Sequence, residues 1–425
     1  MNLWKASSAT IVAVIVAGLP YTRAAGGRVL ASPADQAAAQ PAAPAPPQPR
    51  AGGQAPQPRA GGQQPRAGTQ APQPPRAVAD PSQMAENVFK NIQVLKGIPV
   101  DEFLNTMGIM SAALSFDCAE CHTGAGTDKV LWEFDTPKKR IARRMTTMMA
   151  AINRDNFAGR QVVTCWTCHR GRDVPPAMPS IDVVYGEAAL EPDDIINRPF
   201  PGEPSPDQIL DKYIEAVGGA QRLAGVTSYI ATGTSEGFRG FGGGGQVQIF
   251  AKAPDQRATF MKFPDNPERG ASIRTFDGRN GWVVTPLAVV KDYALLGTEL
   301  DGARLDAQLS FPGRIKQSLT RLRVGPPQAI EGREVHVVQG TGSRGLVATL
   351  YFDKESGLLV RMVRFGNTPI GRAPSQVDFA DYREVGRSGI KMPFRWTFGW
   401  LDGRDSFELK DVQLNAPIDP AVFAG

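Results

Sequence analysis

Histidine is scarce in this chain. Its 425 residues hold three, at 122, 169 and 336. Cysteine is nearly as rare, with four, at 118, 121, 165 and 168. The charge excess is small, a formal +5, and the basic residues are scattered. No nucleic-acid surface follows from such a pattern. Long apolar runs are missing too. The run Ala9 to Leu19 is too short for a confident membrane span. No cysteine follows it, which excludes a lipid-modified N-terminal cysteine. The glycine-rich stretch from Gly237 to Gly245 lacks the lysine and the strand–loop–helix frame of a phosphate loop, and reads as a hairpin tip. The C-terminal half offers no nucleophile–base set. His336, inside the alternating run Glu334-Val335-His336-Val337-Val338, reads as an ordinary strand residue.

The few cysteines are not scattered. All four fall in two copies of one pattern: Cys118-Ala119-Glu120-Cys121-His122 and Cys165-Trp166-Thr167-Cys168-His169. C-x-x-C-H is the attachment signature of a c-type haem. Two thiols three residues apart can add to the two vinyl groups of one porphyrin, and the adjacent histidine then ligates the iron. A zinc ribbon also pairs C-x-x-C units, but does not call for a histidine after each. A thioredoxin-like motif would be single and set in a βαβ pattern. The expectation is two covalent haems c, held by Cys118, Cys121, Cys165 and Cys168, with His122 and His169 on the irons.

The sixth ligand follows in part from what is scarce. With two histidines used, only His336 is left, far along the chain, so bis-histidine ligation cannot serve both haems. Methionine is the usual alternative, and it raises the potential. Met107 and Met110 precede the first motif; Met145, Met148 and Met149 precede the second.

In chain order, length argues for more than one domain. Residues 1–31 read as an export signal, with Lys5 in the n-region and Ala9 to Leu19 as the h-region. Neither Arg23-Ala24-Ala25 nor Val29-Leu30-Ala31 is a clean cleavage end, so retention as a membrane anchor stays open. Export suits the motifs, because c-haem attachment takes place outside the cytoplasm in bacteria. Residues 32–80 are Pro, Ala, Gln and Gly, with Gln-Pro-Arg-Ala-Gly recurring at Gln48, Gln57 and Gln64. Such a stretch cannot bury a core and reads as a disordered tether. Residues 81–180 form the haem module. Ile98-Pro99-Val100-Asp101 starts a helix that ends before Phe116 and places Phe103, Met107 and Met110 on one face. Thr136-Pro137 starts another, with Thr136 as N-cap and Ile141, Met145, Met148 and Ile152 as its apolar stripe. Arg143, Arg144, Arg170 and Arg172 lie beside the ligands and suit the haem propionates.

These residues carry a resemblance. Asn91-Ile92-Gln93-Val94-Leu95, Glu102-Phe103-Leu104 with Met107, Ala142-Arg143-Arg144-Met145, and Val163-Thr164-Cys165 through Cys168-His169-Arg170-Gly171 resemble the cytochrome c subunit of bacterial photosynthetic reaction centres. The likeness spans roughly residues 84–180. In that family a helix before each haem supplies its axial methionine. The resemblance implies Met107 for the first haem and Met145 for the second. The family protein typically carries four haems in two repeated halves, and this chain has one such half.

Residues 181–204 read as a proline-rich, acidic connector, and 205–425 as a β-rich domain. Pro206 to Val217 is expected as an amphipathic helix with Ile209, Leu210, Tyr213 and Ile214 on its apolar side, stopped by Gly218-Gly219. Alternating segments follow at Val247–Phe250, Arg257–Phe260, Gly281–Val284, Val335–Val338, Ala348–Phe352, Leu358–Phe365 and Phe394–Trp400. Turns are expected at Asp277-Gly278, Glu355-Ser356-Gly357 and Asp402-Gly403. The helix ending in Gly-Gly, the meander and the late Pro393-Phe394-Arg395-Trp396 strand are similar to periplasmic lipoprotein-carrier domains. The likeness implies a curved half-barrel with room for an apolar ligand.

The fold class expected is therefore multidomain: a mainly-α dihaem c-type cytochrome module followed by an antiparallel β-rich (α+β) half-barrel-like domain. The function expected is electron carriage in the periplasm, not enzymatic catalysis. The partners would be redox proteins, a reaction centre or a respiratory complex, with membrane association through the N-terminus. Two alternatives stay open: a haem enzyme or redox sensor of peroxidase type, and an apolar-ligand-binding protein with a cytochrome module. No ligand to iron is expected after Ser205, so a chain ending near Ser180 is expected to keep both haems.

Overall fold

The computed structural model describes residues 83–424, apart from 126, 128, 180, 186–194, 197, 238–243, 266, 268, 269, 286–289, 291 and 402. The expected export signal and tether lie outside the described residues, as do most of the glycine-rich tip and Asp402 of one expected turn. The described residues fall in a single compact unit. Among them no helix is long and apolar enough to cross a membrane.

The first part is helical: α1 (Ala85–Val88), α2 (Val100–Leu114), α3 (Cys118–Cys121), α4 (Pro137–Asn156), α5 (Cys165–His169) and α6 (Ile181–Tyr185). Local chemistry sets the ends. α2 starts directly after Pro99 and stops where Ser115 turns left-handed, φ 54°. Thr136 caps α4 by accepting from the Lys139 N–H, with Pro137 in the first turn, where its missing N–H costs little. The two haem motifs adopt the same form for the same reason. Asp117 caps α3 by accepting from the N–H groups of Ala119 and Glu120. Thr164 and Thr167 form a capping box on α5. Each motif is thus a short capped helical turn that brings its two cysteines to one side.

The second part contains α7 (Pro206–Ala216), α8 (Ala220–Ala224), β1 (Ser228–Ser235), β2 (Gln246–Lys252), β3 (Gln256–Lys262), β4 (Ser272–Phe276), β5 (Gly281–Val284), β6 (Asp292–Leu295), α9 (Gly297–Leu309), β7 (Thr320–Val324), β8 (Gln328–Ile330), β9 (Arg333–Thr341), β10 (Val347–Asp353), β11 (Leu359–Thr368), β12 (Gly371–Glu384), β13 (Lys391–Trp400) and β14 (Gly403–Leu414). Among the described residues these strands form one antiparallel sheet in the order β6-β5-β4-β3-β2-β1-β14-β13-β12-β11-β10-β9-β7, with β8 on β9. Two meanders run outward from the β1–β14 pair, so the first and last strands meet in the middle of the sheet. Six of the seven expected segments lie wholly in strands, and the seventh, Leu358–Phe365, starts one residue before β11. α7 buries Ile209, Leu210, Tyr213 and Ile214, together with Leu305 of α9 and Leu350, Phe352 and Met362 of the sheet. Gly218 and Gly219 have φ 135° and 85°, and turn the chain after α7.

The helical part lies directly on this sheet. The Leu296 N–H donates to Asp101 Oδ2 at 2.6 Å, and Asn105 Nδ2 donates to Glu299 Oε1 at 3.0 Å. Gln161 Nε2 donates to the Thr368 carbonyl at 2.8 Å. Ile109 and Met149 share a buried cluster with Ile370 and Ala373. Gly108 abuts the Trp400 indole so closely that a Cβ would lie 2.6 Å from Cζ2. The connector is fastened as well. His336 of β9 binds the Glu203 carboxylate through Nδ1, and Lys354 Nζ binds the other oxygen at 3.2 Å. His336 is thus the strand residue expected from its pattern, with an ion-pair partner that the pattern does not name.

Candidate haem sites

A cavity of about 830 Å³ opens where α2, α3 and the start of α4 meet the sheet. That lies inside the ~300–1,000 Å³ range of sites for sizeable organic ligands. Met107, Cys118, Cys121 and His122 all line it. Phe103 and Met110 line it too, so the expected face of α2 looks into the cavity. Arg143 is at its wall, paired with Asp135 and reaching the Asn91 carbonyl at 3.5 Å.

The surroundings of the His122 imidazole favour its neutral form. Burial pushes it down to about 4; the Lys139 ammonium adds to the shift, and the Trp132 backbone opposes it. The Trp132 ring meets it edge-on, with centroids 4.9 Å apart. Its Nδ1 is buried with no hydrogen-bond partner.

The second set of residues is arranged differently. His169 Nδ1 lies 2.9 Å from the Arg172 carbonyl. A carbonyl can only accept, so Nδ1 carries the hydrogen, and Nε2 is the nitrogen not engaged by this contact. Cys165 is half-buried and Cys168 exposed. Met145 and Met148 stand 37% and 48% exposed, and Ile141 and Trp166 are exposed too. The expected stripe of α4 therefore faces outward, whereas Thr146, Met149 and Asn153 are its buried residues. Arg144 and Arg170 are exposed. The structure brings the first set together at one cavity, but Met145, Cys165, Cys168 and His169 do not line it.

None of the four cysteines is in a disulfide. Burial raises the Cys121 thiol and pushes Cys165 up to about 11. These shifts are opposite to those of a reactive dithiol. Among the described residues no group of three or more His, Cys, Asp or Glu side chains is placed to hold a bare metal ion.

Residues 50–190 match the family model of the photosynthetic reaction centre cytochrome C subunit. The same region is similar to individual cytochrome c subunits of these centres. Identity is 38% over 96 residues to that of Thermochromatium tepidum, covering 21% of this chain and 22% of that protein. It is 29% over 147 residues to that of Roseobacter denitrificans, covering 31% and 38%. The chain thus spans well under half the length of the curated relatives it matches. Among solved structures it is similar to a LolA superfamily protein from Nitrosomonas europaea, at 12% identity and TM-score 0.37, over 52% of this chain and 99% of that one. It is also similar to a DUF1329 family protein from Desulfovibrio piger, at 9% identity and TM-score 0.37, over 51% and 96%.

The first cavity has walls that the sequence pattern of residues 84–180 does not anticipate. Arg274, Tyr293, Glu299, Arg364, Phe398 and Trp400 line it from the sheet side. They are distant in sequence and carry no motif, and only the tertiary packing assembles them. A second cavity of about 360 Å³ lies against the sheet, lined by Tyr213, Tyr229, Met362, Phe379 and Trp396 among others. Arg274, Arg364 and Phe398 line both cavities.

The floor of the α2–sheet contact predicts a pH effect. Burial pushes the Asp101 carboxyl from 3.8 up to about 7; N–H donation from Leu296 opposes the shift, and nearby Glu299 adds to it. The folded state therefore holds this proton more tightly than the unfolded chain. The resulting stability is fully present below about pH 4 and is lost as pH climbs to about 7 and above, a change of up to roughly 4 kcal/mol. Denaturant titrations at stepped pH should show this decline, and Asp101→Asn should flatten it. An unchanged slope in the variant would acquit Asp101.

Proposed function

We propose that this chain is a dihaem c-type cytochrome that carries electrons outside the cytoplasm. The cavity that gathers Met107, Cys118, Cys121 and His122 is the observation that supports it most directly. The site suits a haem: two thiols on one capped turn, an imidazole neutral at pH 7, a thioether on the facing helix and apolar walls. Cys118 and Cys121 would hold the first porphyrin by thioether bonds, with His122 and Met107 as axial ligands. Cys165, Cys168, His169 and Met145 would do the same for the second. Bound haem would supply reversible one-electron exchange. The protein's part would be to hold the iron between His122 and Met107, and between His169 and Met145, leaving no open site for substrate.

The partners proposed are redox proteins, a reaction centre or a respiratory complex. Residues 1–31 would direct export and could hold the chain at the membrane. An apolar ligand on the sheet is a second, independent reading, favoured by the second cavity and its aromatic lining.

A pyridine haemochrome assay on the exported chain should give two haems per polypeptide. The oxidised protein should be low-spin, with a methionine–iron charge-transfer band, and the reduced protein should not bind carbon monoxide. High-spin iron at both sites would sink the electron-carrier reading and favour a peroxidase or sensor.

A further inference from the structure

We propose that the sheet closes the first haem site and that Arg274 of β4 anchors a haem propionate there. The inference rests on the dihaem reading and names a cofactor-binding residue far outside the region that carries the haem motifs.

Five described cations line the cavity: Lys90, Lys139, Arg143, Arg274 and Arg364. Four have their charge or donors engaged. Lys90 stands exposed, 3.7 Å from the Glu133 carboxylate. Lys139 Nζ donates to the carbonyls of Trp132 at 2.5 Å and Phe134 at 3.0 Å. Arg143 is paired with Asp135. Arg364 donates to the Gly302 carbonyl and Asp306 Oδ2, both at 2.8 Å, and to Ser375 Oγ at 2.9 Å. Arg274 differs. Its side chain is 36% exposed, but its Nη2 is buried and has no hydrogen-bond partner among the described residues. Its ion-pair partner, Glu299 Oε2, is 4.0 Å away, at the limit of an ion pair and beyond a hydrogen bond. Glu299 Oε1 is already taken by Asn105.

A buried N–H without an acceptor costs free energy that a native structure normally recovers. An oxygen acceptor entering this cavity would recover it, and a carboxylate would meet the guanidinium charge as well. Haem brings two carboxylates into the same cavity as Met107 and His122, and guanidinium is the side chain best matched to a carboxylate. The exposed arginines beside the second motif, Arg144 and Arg170, line no part of this cavity.

The test uses the full haem-loaded chain and reads each haem's potential. The first haem's wave is the one that Met107→Ala displaces. Arg274→Leu should leave two haems by pyridine haemochrome and lower that wave alone, because a cation near the ring favours the reduced state. A tenfold change in the reduction equilibrium corresponds to about 59 mV. Arg274→Lys, which keeps the charge, should return most of the shift. Glu299→Gln should raise the same wave, and it probes the anchor independently if Arg274→Leu fails to fold. Two bound haems with neither wave moved by Arg274→Leu or Glu299→Gln would overturn the anchor and leave the dihaem reading standing. So would equal shifts in both waves. A wild-type chain without haem would take down both.

Discussion

A chain ending at Ser180 is expected to lose the fold of its helical part. The proline-rich connector and the completeness of the iron ligands before Ser205 argue the opposite, that the haem module stands alone. The packing outweighs that argument. Ile109 and Met149 are buried against Ile370 and Ala373. Exposing two such side chains costs roughly 3–6 kcal/mol. Asp101 and Asn105 would lose the Leu296 N–H and the Glu299 carboxylate, at roughly 1–3 kcal/mol for each group left unpaired if it stays buried. The sum reaches the whole stability of a typical domain, about 5–15 kcal/mol. Circular dichroism and thermal melts of the truncated chain should show a lower midpoint and a broader transition than the full chain. Two haems with unmoved spectra and an unmoved melt in the truncated chain would show that the sheet contributes nothing to the site.

The local signals in the sequence are strong where a side chain acts on its own neighbourhood. Thr136-Pro137, Pro99 and Gly218-Gly219 bound helices as their chemistry requires. Strands with alternating apolar residues, such as β9 and β10, declare themselves. β12 does not: Gly371–Glu384 contains Pro374 and a mixed polar run, and it forms a strand because β11 and β13 pair with it on both sides. α9 is hidden in the sequence because glycines at 297 and 302 weaken its pattern, and its buried face, Leu300, Ala303, Leu305 and Ala307, is defined by the sheet it covers. The cavity shows the same division. Its motif side, Met107 with Cys118, Cys121 and His122, is legible because covalent chemistry fixes the spacing. Its sheet side is invisible in sequence, because Arg274 and Glu299 matter only through where the tertiary fold places them.

The methionines give the second large expected effect. Met107 and Met110 both line the first cavity, one turn of α2 apart, so cavity geometry alone does not choose between them. The family resemblance chooses Met107. Axial ligands spread haem potentials over ~0.8 V. Met107→Ala should therefore lower one wave by on the order of 0.1–0.3 V and let carbon monoxide bind that iron. Met110→Ala should leave both iron spectra unchanged and act only as a packing loss. On α4 the structure separates the candidates by burial. Met149 is 5% exposed and packs in the core with Ile109, so Met149→Ala should cost roughly 2–5 kcal/mol without opening an iron. Met145 is more than a third exposed, so Met145→Ala should cost little packing and yet displace the other wave. Carbon monoxide binding after Met110→Ala or Met148→Ala, with Met107→Ala and Met145→Ala silent, would move the ligands to those positions on the two helices.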